Sequence, residues 1–134
     1  MTIRLAERGD LELIARQDKW VSREILQQKI ERGEVLAAFE DGFLIGWLRY
    51  GLFWDNTPFL NLLHVAESRR GQGVGRALTA CWEEAMRRQG YPVVLTSTSQ
   101  DETAQHFYTK LGYAAIGGFT PPGEPYELLF SKRL

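Results

Sequence analysis

The sequence predicts an α/β (α+β) domain in which one mixed β-sheet carries helices on both faces. Asp41-Gly42 stands between two apolar runs and is a strong signal for an antiparallel hairpin. Further along, a strand, a glycine-rich loop, a helix and another strand follow one another in the order of a parallel crossover. A chain of 134 residues is long enough to close one hydrophobic core. We therefore expect residues 1–134 to form a single domain.

The N-terminal elements are predicted from capping residues and apolar spacing. A short strand is expected around residues 3–5, and Asp10 and Ser22 are each placed to cap the start of a helix. Gly33 is placed to end the second helix, because glycine adopts a positive φ easily. These two helices are expected to form a paired element.

Three strands are predicted around the hairpin and the turn that follows it. Apolar runs at 35–39 and 43–53 flank the Asp-Gly pair, and residues 55–58 have the composition of a turn. The next run, 59–65, is almost continuously apolar, which is typical of a strand covered on both faces. We expect this strand to be central in the sheet.

The second half of the chain begins with an amphipathic helix that ends near Gly90. Its apolar residues recur at helical spacing, at Val74, Ala77, Leu78, Cys81, Trp82 and Ala85. The remaining elements are a buried strand, a helix and two final strands, at 93–96, 102–111, 113–118 and 126–131. Gly112 is the expected stop of the last helix.

Composition and charge narrow the classes of function. The chain is 44% hydrophobic and 25% charged, and its formal net charge of −1 argues against general electrostatic binding to nucleic acids or anionic membranes. No apolar run approaches the ~20 residues that cross a bilayer, and the N-terminus lacks the apolar core of a signal peptide. We expect a cytoplasmic protein. Cys81 and the two histidines lack metal-site spacing, so no metal is expected.

Residues 69–76, Arg-Arg-Gly-Gln-Gly-Val-Gly-Arg, connect the strand at 59–65 to the following helix. Glycines at alternate positions allow backbone N–H groups to converge on an anion at the positive end of the helix dipole. One glycine would suffice for a turn, so three glycines indicate that the backbone must be accessible to a ligand. Arg69, Arg70 and Arg76 add positive charge to the segment. The spacing G-x-G-x-G matches neither the dinucleotide fingerprint nor a P-loop. We interpret the segment as a pyrophosphate site.

Two segments resemble motifs of the GNAT superfamily of acyl-CoA-dependent N-acetyltransferases. Residues 70–75, Arg-Gly-Gln-Gly-Val-Gly, match the loop motif [QR]-x-x-G-x-[GA]. Residues 104–113 are similar to the family segment A-x-x-F-Y-x-K-L-G-[FY], and the order of predicted elements is similar along the whole chain. The resemblance implies a mostly antiparallel sheet with a central splayed parallel strand pair. It also implies acetyl transfer from acetyl-CoA to a primary amine of a small molecule or peptide.

The resemblance assigns contacts to coenzyme A. Main-chain groups near Leu63 and Val65 would bind the pantetheine arm, and the amides of residues 70–75 would bind the pyrophosphate. The full implied set is Leu63, Val65, Arg70, Gly71, Gln72, Gly73, Val74, Gly75, Arg76 and Ala104. Asp101 stands where the family often has an asparagine, and this departure weakens one pantetheine contact.

Direct transfer requires a neutral amine, a donor for the oxyanion and an acid for the departing thiolate. The backbone N–H near Val65 is the expected oxyanion donor. Tyr108 matches the position of the family's general acid, and a phenol of pKa ~10 suits a thiolate of pKa ~8.5. The alternative is that Tyr108 only packs on the apolar face of its helix.

The general base stays open at the level of sequence. Neither 59–65 nor 93–96 contains a carboxylate. His64 can accept a proton near neutral pH, although it can equally be a hydrogen-bonded structural residue. Asp55 and Glu124 are loop carboxylates that could bind or deprotonate the amine through water, and Asn61 could hold that water.

The remaining expectations concern aromatic residues, Cys81, His106 and competing functions. Most of the aromatic residues near the expected acceptor side are predicted to belong to the sheet core; they are Trp47, Tyr50, Phe53, Trp54 and Phe119. Exposed aromatic residues near the hairpin make a homodimer possible. Cys81 is expected in the core and His106 in solvent. Because the central strands lack a carboxylate base, a non-catalytic acyl-CoA-binding or regulatory module remains an alternative. A nucleotide-binding module would rest on the phosphate loop alone.

Overall fold

The computed structural model describes residues 1–134 throughout. Its strands are β1 (Thr2–Leu5), β2 (Val35–Glu40), β3 (Phe43–Phe53), β4 (Thr57–Val65), β5 (Val93–Ser99), β6 (Ala114–Phe119) and β7 (Glu127–Arg133). Its α-helices are α1 (Leu11–Ala15), α2 (Arg23–Glu31), α3 (Val74–Arg88) and α4 (Ala104–Lys110). The strands form one seven-stranded sheet in the order β1-β2-β3-β4-β5-β7-β6. The pair β4–β5 is parallel, and β1–β2, β2–β3, β5–β7 and β6–β7 are antiparallel. The predicted fold class is confirmed.

Contacts divide the chain into two compact units. The first unit comprises Met1–Tyr50 and Leu62–Trp82, and the second comprises Gly51–Asn61 and Glu83–Leu134. The expectation that residues 1–134 form a single domain stays a prediction. None of the helices has both the length and the apolar character that a membrane span requires.

The hairpin between β2 and β3 forms at the predicted dipeptide. Asp41 has φ 51° and Gly42 has φ 80°, so both central residues of the turn are left-handed. This is the requirement of a type I′ turn, whose twist matches that of the flanking strands. Glu40 and Phe43 are then opposite each other in the ladder.

Helix α2 begins and ends as its capping residues predict. The side-chain oxygen of Ser22 accepts a hydrogen bond from the amide of Ile25 at 3.2 Å. At the other end Gly33 has φ 71° and follows the last residue with helical backbone, Arg32. Ser22 therefore satisfies a backbone N–H group at the start of the helix, and Gly33 supplies the left-handed backbone that ends it.

Asp10 precedes α1, but the predicted side-chain cap is absent. Its carboxylate instead accepts a hydrogen bond from the amide of Glu7 at 2.7 Å and pairs with Arg4 at 2.7 Å. The hydrogen bond from Arg4 lowers the pKa of Asp10 below its ordinary value. The carboxylate that the sequence pattern assigned to capping α1 thus forms an ion pair with Arg4 on β1.

The core of the first unit lies between the paired helices and one face of β2 and β3. Buried residues of both helices pack with alternate residues of the strands, and the cluster comprises Ala6, Leu11, Ile14, Leu26, Ile30, Val35, Ala37 and Trp47. The alternate residues Leu36, Ala38 and Leu48 are also buried. Since successive side chains of a strand point to opposite faces, both faces of this part of the sheet are covered.

Strand β7 lies between β5 and β6 in the second unit. It pairs with β5 over its whole length, from Glu127 opposite Ser99 to Arg133 opposite Val93. Helix α4 packs Tyr108 against this part of the sheet, with its ring centroid 6.4 Å from that of Phe130. As predicted, α4 is followed by Gly112, which has φ 94°.

A buried carboxylate, Glu83, connects three elements of the second unit. Glu83 lies on α3 and is 7% exposed. Its Oε2 accepts a hydrogen bond from the hydroxyl of Tyr113 at 2.8 Å, and its Oε1 pairs with Nζ of Lys132 at 2.9 Å. Both oxygens are therefore compensated, as a buried charge requires.

The burial of β4 and β5 differs from the prediction of strands covered on both faces. In β4 Pro58 and Leu60 are buried, Asn61 is exposed and residues 62–65 are half-buried. In β5 buried and half-buried residues alternate, so this strand buries one face. It also extends to Ser99, beyond the apolar run, because pairing with β7 holds the polar residues in the ladder.

Helix α3 is rotated relative to the predicted apolar stripe. The buried residues are Val74, Leu78, Thr79, Trp82, Glu83 and Met86. Ala77, Cys81 and Ala85 are only half-buried, so the expectation of Cys81 as a core residue is wrong. The bulkier side chains occupy the interior, and the smaller ones lie at the edge of the packed face.

Asp18 and Arg49 form a buried ion pair in the first unit. Arg49 Nε lies 2.7 Å from Asp18 Oδ2, and Arg49 Nη2 lies 3.2 Å from Oδ1. The side chains are 6% exposed for Arg49 and 0% for Asp18. Because both charges are buried, removal of either side chain would leave the other charge without compensation.

We expect Arg49→Met to lower the free energy of unfolding by about 3–5 kcal/mol, because it leaves the carboxylate of Asp18 buried without a partner. Urea unfolding would measure this. The matched control is Arg23→Ala, which breaks the exposed pair of Arg23 with Glu12 and should change stability little. The double variant Asp18→Leu with Arg49→Met should recover part of the loss. Equal effects of Arg49→Met and Arg23→Ala would contradict a structural role for the buried pair.

Candidate functional site

The glycine loop between β4 and α3 uses left-handed backbone at two of its three glycines. Gly71 has φ 74° and Gly73 has φ 88°, and no atom lies within 4 Å of the position that a Cβ would take at either residue. Gly75 lies inside the first turn of α3 and has no positive φ. Conformation therefore requires glycine at 71 and 73, and the space above both residues is open.

The loop ends at the start of helix α3. The amide of Ala77 donates to the carbonyl of Gly73 at 3.0 Å, so Gly73 directly precedes the helix. The amides of residues 73–76 consequently have no acceptor within the helix. These N–H groups and the helix dipole favour a bound anion, and the open space above the glycines gives it access.

Two side chains fold back on the segment that leads into the loop. Gln72 donates from Nε2 to the carbonyl of Ser68 at 3.2 Å, and Arg70 donates from Nε to the carbonyl of Val65 at 3.1 Å. The end of β4 and the loop are thus tied together by side-chain to backbone hydrogen bonds.

The three arginines of the segment differ in their environment. Arg69 forms a short ion pair with Glu40, so its charge is compensated within the first unit. Arg70 and Arg76 are exposed. The expectation that all three add positive charge to the loop is therefore wrong for Arg69.

His64, on β4, faces two tryptophans. Its ring centroid lies 4.5 Å from that of Trp47 and 6.2 Å from that of Trp20, which is 60% exposed. Burial lowers the pKa of His64 below its ordinary value, and the positive charge of Arg70 lowers it further. The imidazole is thus held in its neutral form, which is the form that accepts a proton.

Gly46, on β3, is a residue of the site that sequence reasoning missed. A methyl group at this position would lie 2.8 Å from the carbonyl oxygen of His64, 3.2 Å from Val74 Cγ1 and 3.3 Å from Leu78 Cδ1. The absence of a side chain therefore allows β4 and α3 to approach β3. A glycine inside a strand is the sequence signal that could have indicated this close approach.

Tyr108 is the predicted acid in the second unit and is 5% exposed. Its ring packs edge-on against Phe107 and Tyr113, with centroid distances of 5.1 Å and 5.4 Å. Burial raises the pKa of Tyr108 to about 12, and a hydrogen bond with Thr96 partly opposes this. The phenol therefore stays protonated throughout the ordinary pH range.

Thr96 places Tyr108 relative to the parallel strands. The ladder of β4 with β5 joins Phe59 to Leu95 and Leu60 to Thr96. The hydroxyl of Thr96 also donates to the carbonyl of Leu60 at 3.1 Å. Because Tyr108 hydrogen-bonds with Thr96, its hydroxyl lies where this short ladder ends.

The other predicted site residues lie at the surface or its edge. Ala104 is the first residue of α4 and is half-buried, Asn61 and Asp101 are exposed, and Asp55 and Glu124 are exposed in loops. His106 is exposed, as expected. No group of three or more His, Cys, Asp and Glu side chains is arranged to hold a metal ion.

The aromatic residues divide differently from the prediction. Trp47 and Tyr50 are buried, but Phe53, Trp54 and Phe119 are 42%, 79% and 49% exposed. A core role for most of the five is therefore wrong. Trp54 and Asp55 form the turn between β3 and β4 with φ 56° and φ 62°, and this turn carries the aromatic ring outward.

Comparison with protein families gives a match over most of the chain. The model of the acetyltransferase (GNAT) family matches residues 4–113. No curated protein matches the chain at the level of sequence.

Several solved structures share the fold over nearly the whole chain. Ard1 from Thermoplasma volcanium has a TM-score of 0.87 at 19% identity, covering 99% of this chain and 97% of that one. A ribosomal-protein-alanine N-acetyltransferase from Brucella melitensis has a TM-score of 0.85 at 23% identity and covers 100% of both chains. The PaiA N-acetyltransferase from Thermoplasma acidophilum, solved with coenzyme A, has a TM-score of 0.84 at 22% identity, covering 99% and 98%.

We expect Gly46→Ala to destabilise the protein by about 1–3 kcal/mol, because the added methyl group forces β4 or α3 away from β3. The matched control is Gly9→Ala, since a methyl group there would meet nothing within 4 Å and the backbone has no positive φ. Urea unfolding of both variants would measure the difference. If the two substitutions are equally tolerated, the close approach at Gly46 does not constrain the site.

Proposed function

This chain belongs to the acetyltransferase (GNAT) family, and on that premise we propose that it is an acetyl-CoA-dependent N-acetyltransferase. The acetyl group would move by direct attack of a primary amine of a small molecule or peptide. The observation that carries the proposal is the loop of Gly71 and Gly73, whose left-handed backbone leaves open space before the N-terminus of α3. PaiA, which shares the fold, is described in complex with coenzyme A, and the Brucella neighbour is named for acetylation of a ribosomal protein.

The loop is the part of the chain that fits the pyrophosphate of coenzyme A. The amides of residues 73–76 lack acceptors within α3, and a pyrophosphate supplies oxygen acceptors of the required charge. We assign the pyrophosphate to residues 70–76 and the pantetheine to main-chain groups near Leu63 and Val65. Ala104 is proposed as a further contact.

The proposed chemistry needs three functions from the chain. Acetyl-CoA supplies an activated thioester. His64 accepts a proton from the attacking amine, and the main-chain N–H near Val65 donates to the developing oxyanion. Tyr108 donates a proton to the departing thiolate. The pKa of about 12 keeps this phenol in the acid form.

One feature favours a second candidate, a non-catalytic acyl-CoA-binding or regulatory module. Neither β4 nor β5 contains a carboxylate that could serve as a base. Coenzyme A binding without turnover over a broad panel of amines would support this candidate and contradict the enzyme.

We expect Gly73→Glu to weaken coenzyme A binding by at least about tenfold, because a carboxylate would stand in the anion site at a backbone position that favours glycine. Isothermal titration calorimetry would measure the affinity. Gly90→Glu is the matched control, since Gly90 has a similar φ of 90° and equally open surroundings. Binding by Gly73→Glu as tight as that of the parent would show that the pyrophosphate is not bound at this loop.

We expect Tyr108→Phe to lower kcat by about 10²–10⁴-fold while the affinity for coenzyme A stays unchanged, because only the proton donor is removed. Release of free thiol from acetyl-CoA, followed over a panel of primary amines, would measure kcat. Tyr91→Phe makes the same chemical change at a tyrosine that the mechanism does not use. Full activity of Tyr108→Phe, with unchanged unfolding, would leave Tyr108 a packing residue.

A further inference from the structure

Arg70 belongs to the proposed cofactor loop and also contacts the end of strand β4. Its Nε donates to the carbonyl oxygen of Val65 at 3.1 Å, and Val65 directly follows His64. The side chain is exposed, so its guanidinium is accessible to an anion from solvent. One positive charge of the loop therefore lies beside the carbonyl of the residue that follows His64.

Three charged groups of the first unit act on His64. Arg70 from the loop and Lys19 from the segment after α1 both lower the pKa of His64, whereas Asp18 raises it. The carboxylate of Asp18 is paired with Arg49 and is not part of the cofactor loop. The tryptophans that face the ring carry no charge. Among the cations, Arg70 has the largest effect, and it lies in the loop where the cofactor is proposed to bind.

We propose that Arg70 is a positioning residue through which cofactor binding makes His64 a stronger base. The inference rests on the proposed function, since it assumes that coenzyme A phosphates engage the loop. A phosphate beside the guanidinium offsets its charge, and less repulsion then opposes a proton on the imidazole. His64 remains neutral and weakly basic without cofactor, and it gains proton affinity when the acetyl donor is in place.

The coupling is reciprocal, because two binding equilibria linked by one free energy affect each other equally. If bound coenzyme A raises the proton affinity of His64, protonated His64 must raise the affinity for coenzyme A. The affinity for coenzyme A should therefore increase as the pH falls through the pKa of His64. This dependence should be weaker in His64→Gln, where protonation of His64 no longer contributes.

The test is a pH titration of the histidine ring signals by NMR, with and without saturating coenzyme A. The chain has only two histidines. His106→Gln assigns their signals. The key variant is Arg70→Gln, which removes the charge but keeps a residue that the family motif accepts at this position. Calorimetry over the same pH range gives the affinity for coenzyme A.

We expect the titration midpoint of His64 to move to higher pH when coenzyme A binds. In Arg70→Gln the midpoint should already be higher without ligand, and coenzyme A should raise it less. An equal midpoint in the free parent and free Arg70→Gln would overturn the inference. So would a parent protein that binds coenzyme A without a change at His64.

A failure of the proposed function would give a different result. If the parent protein does not bind coenzyme A at any pH, both the function and the coupling are wrong. If coenzyme A binds and acetyl transfer proceeds while His64 titrates identically in all states, only the coupling is wrong. Unfolding curves of Arg70→Gln establish that the variant is folded in each comparison.

Discussion

The close approach of β4 and α3 to Gly46 is the constraint on which the loop depends. The carbonyl of His64, two residues before the loop, and the side chain of Val74, at its end, both lie beside this one residue. Backbone amides cannot adjust by changing rotamer, so an anion site built from them needs both ends of its loop fixed. A hydrogen atom in place of a side chain allows two elements to pack on β3 at the required distance. The conformation of this glycine-rich loop is therefore set by how its two ends pack against β3.

The same physical effect keeps both proposed proton carriers uncharged. Loss of hydration disfavours the charged form of any group, so it lowers the pKa of His64 and raises that of Tyr108. A neutral imidazole and a protonated phenol result, which are the forms that a base and an acid need. Two pairs of charged groups in the first unit compensate each other, Arg69 with Glu40 and Asp18 with Arg49. The pKa of His64 is thus lowered mainly by burial and next by the exposed guanidinium of Arg70.

Local signals in the sequence predicted the parts of the structure that local conformation decides. The turn at Asp41-Gly42 and the cap at Ser22 each follow from requirements within a few residues. Contacts between distant residues were not predictable in this way. Arg49 meets Asp18 across 31 positions and Tyr113 meets Glu83 across 30, and no spacing rule encodes such pairs. Asp10 shows a different limit, because Arg4 on β1 competes for the carboxylate that the local pattern assigned to the helix cap.

The position of β7 in the sheet has a consequence for how the second unit folds. β7 follows β6 in the chain but lies between β6 and β5, so no pairing of β6 with the rest of the sheet can precede the arrival of β7. The β6–β7 hairpin is a local structure and can form early. Its attachment to β5 joins residues as far apart as Val93 and Arg133, and such long-range pairing carries a large loop-closure entropy. The assembly of this edge of the sheet is therefore expected to limit the folding rate of the second unit.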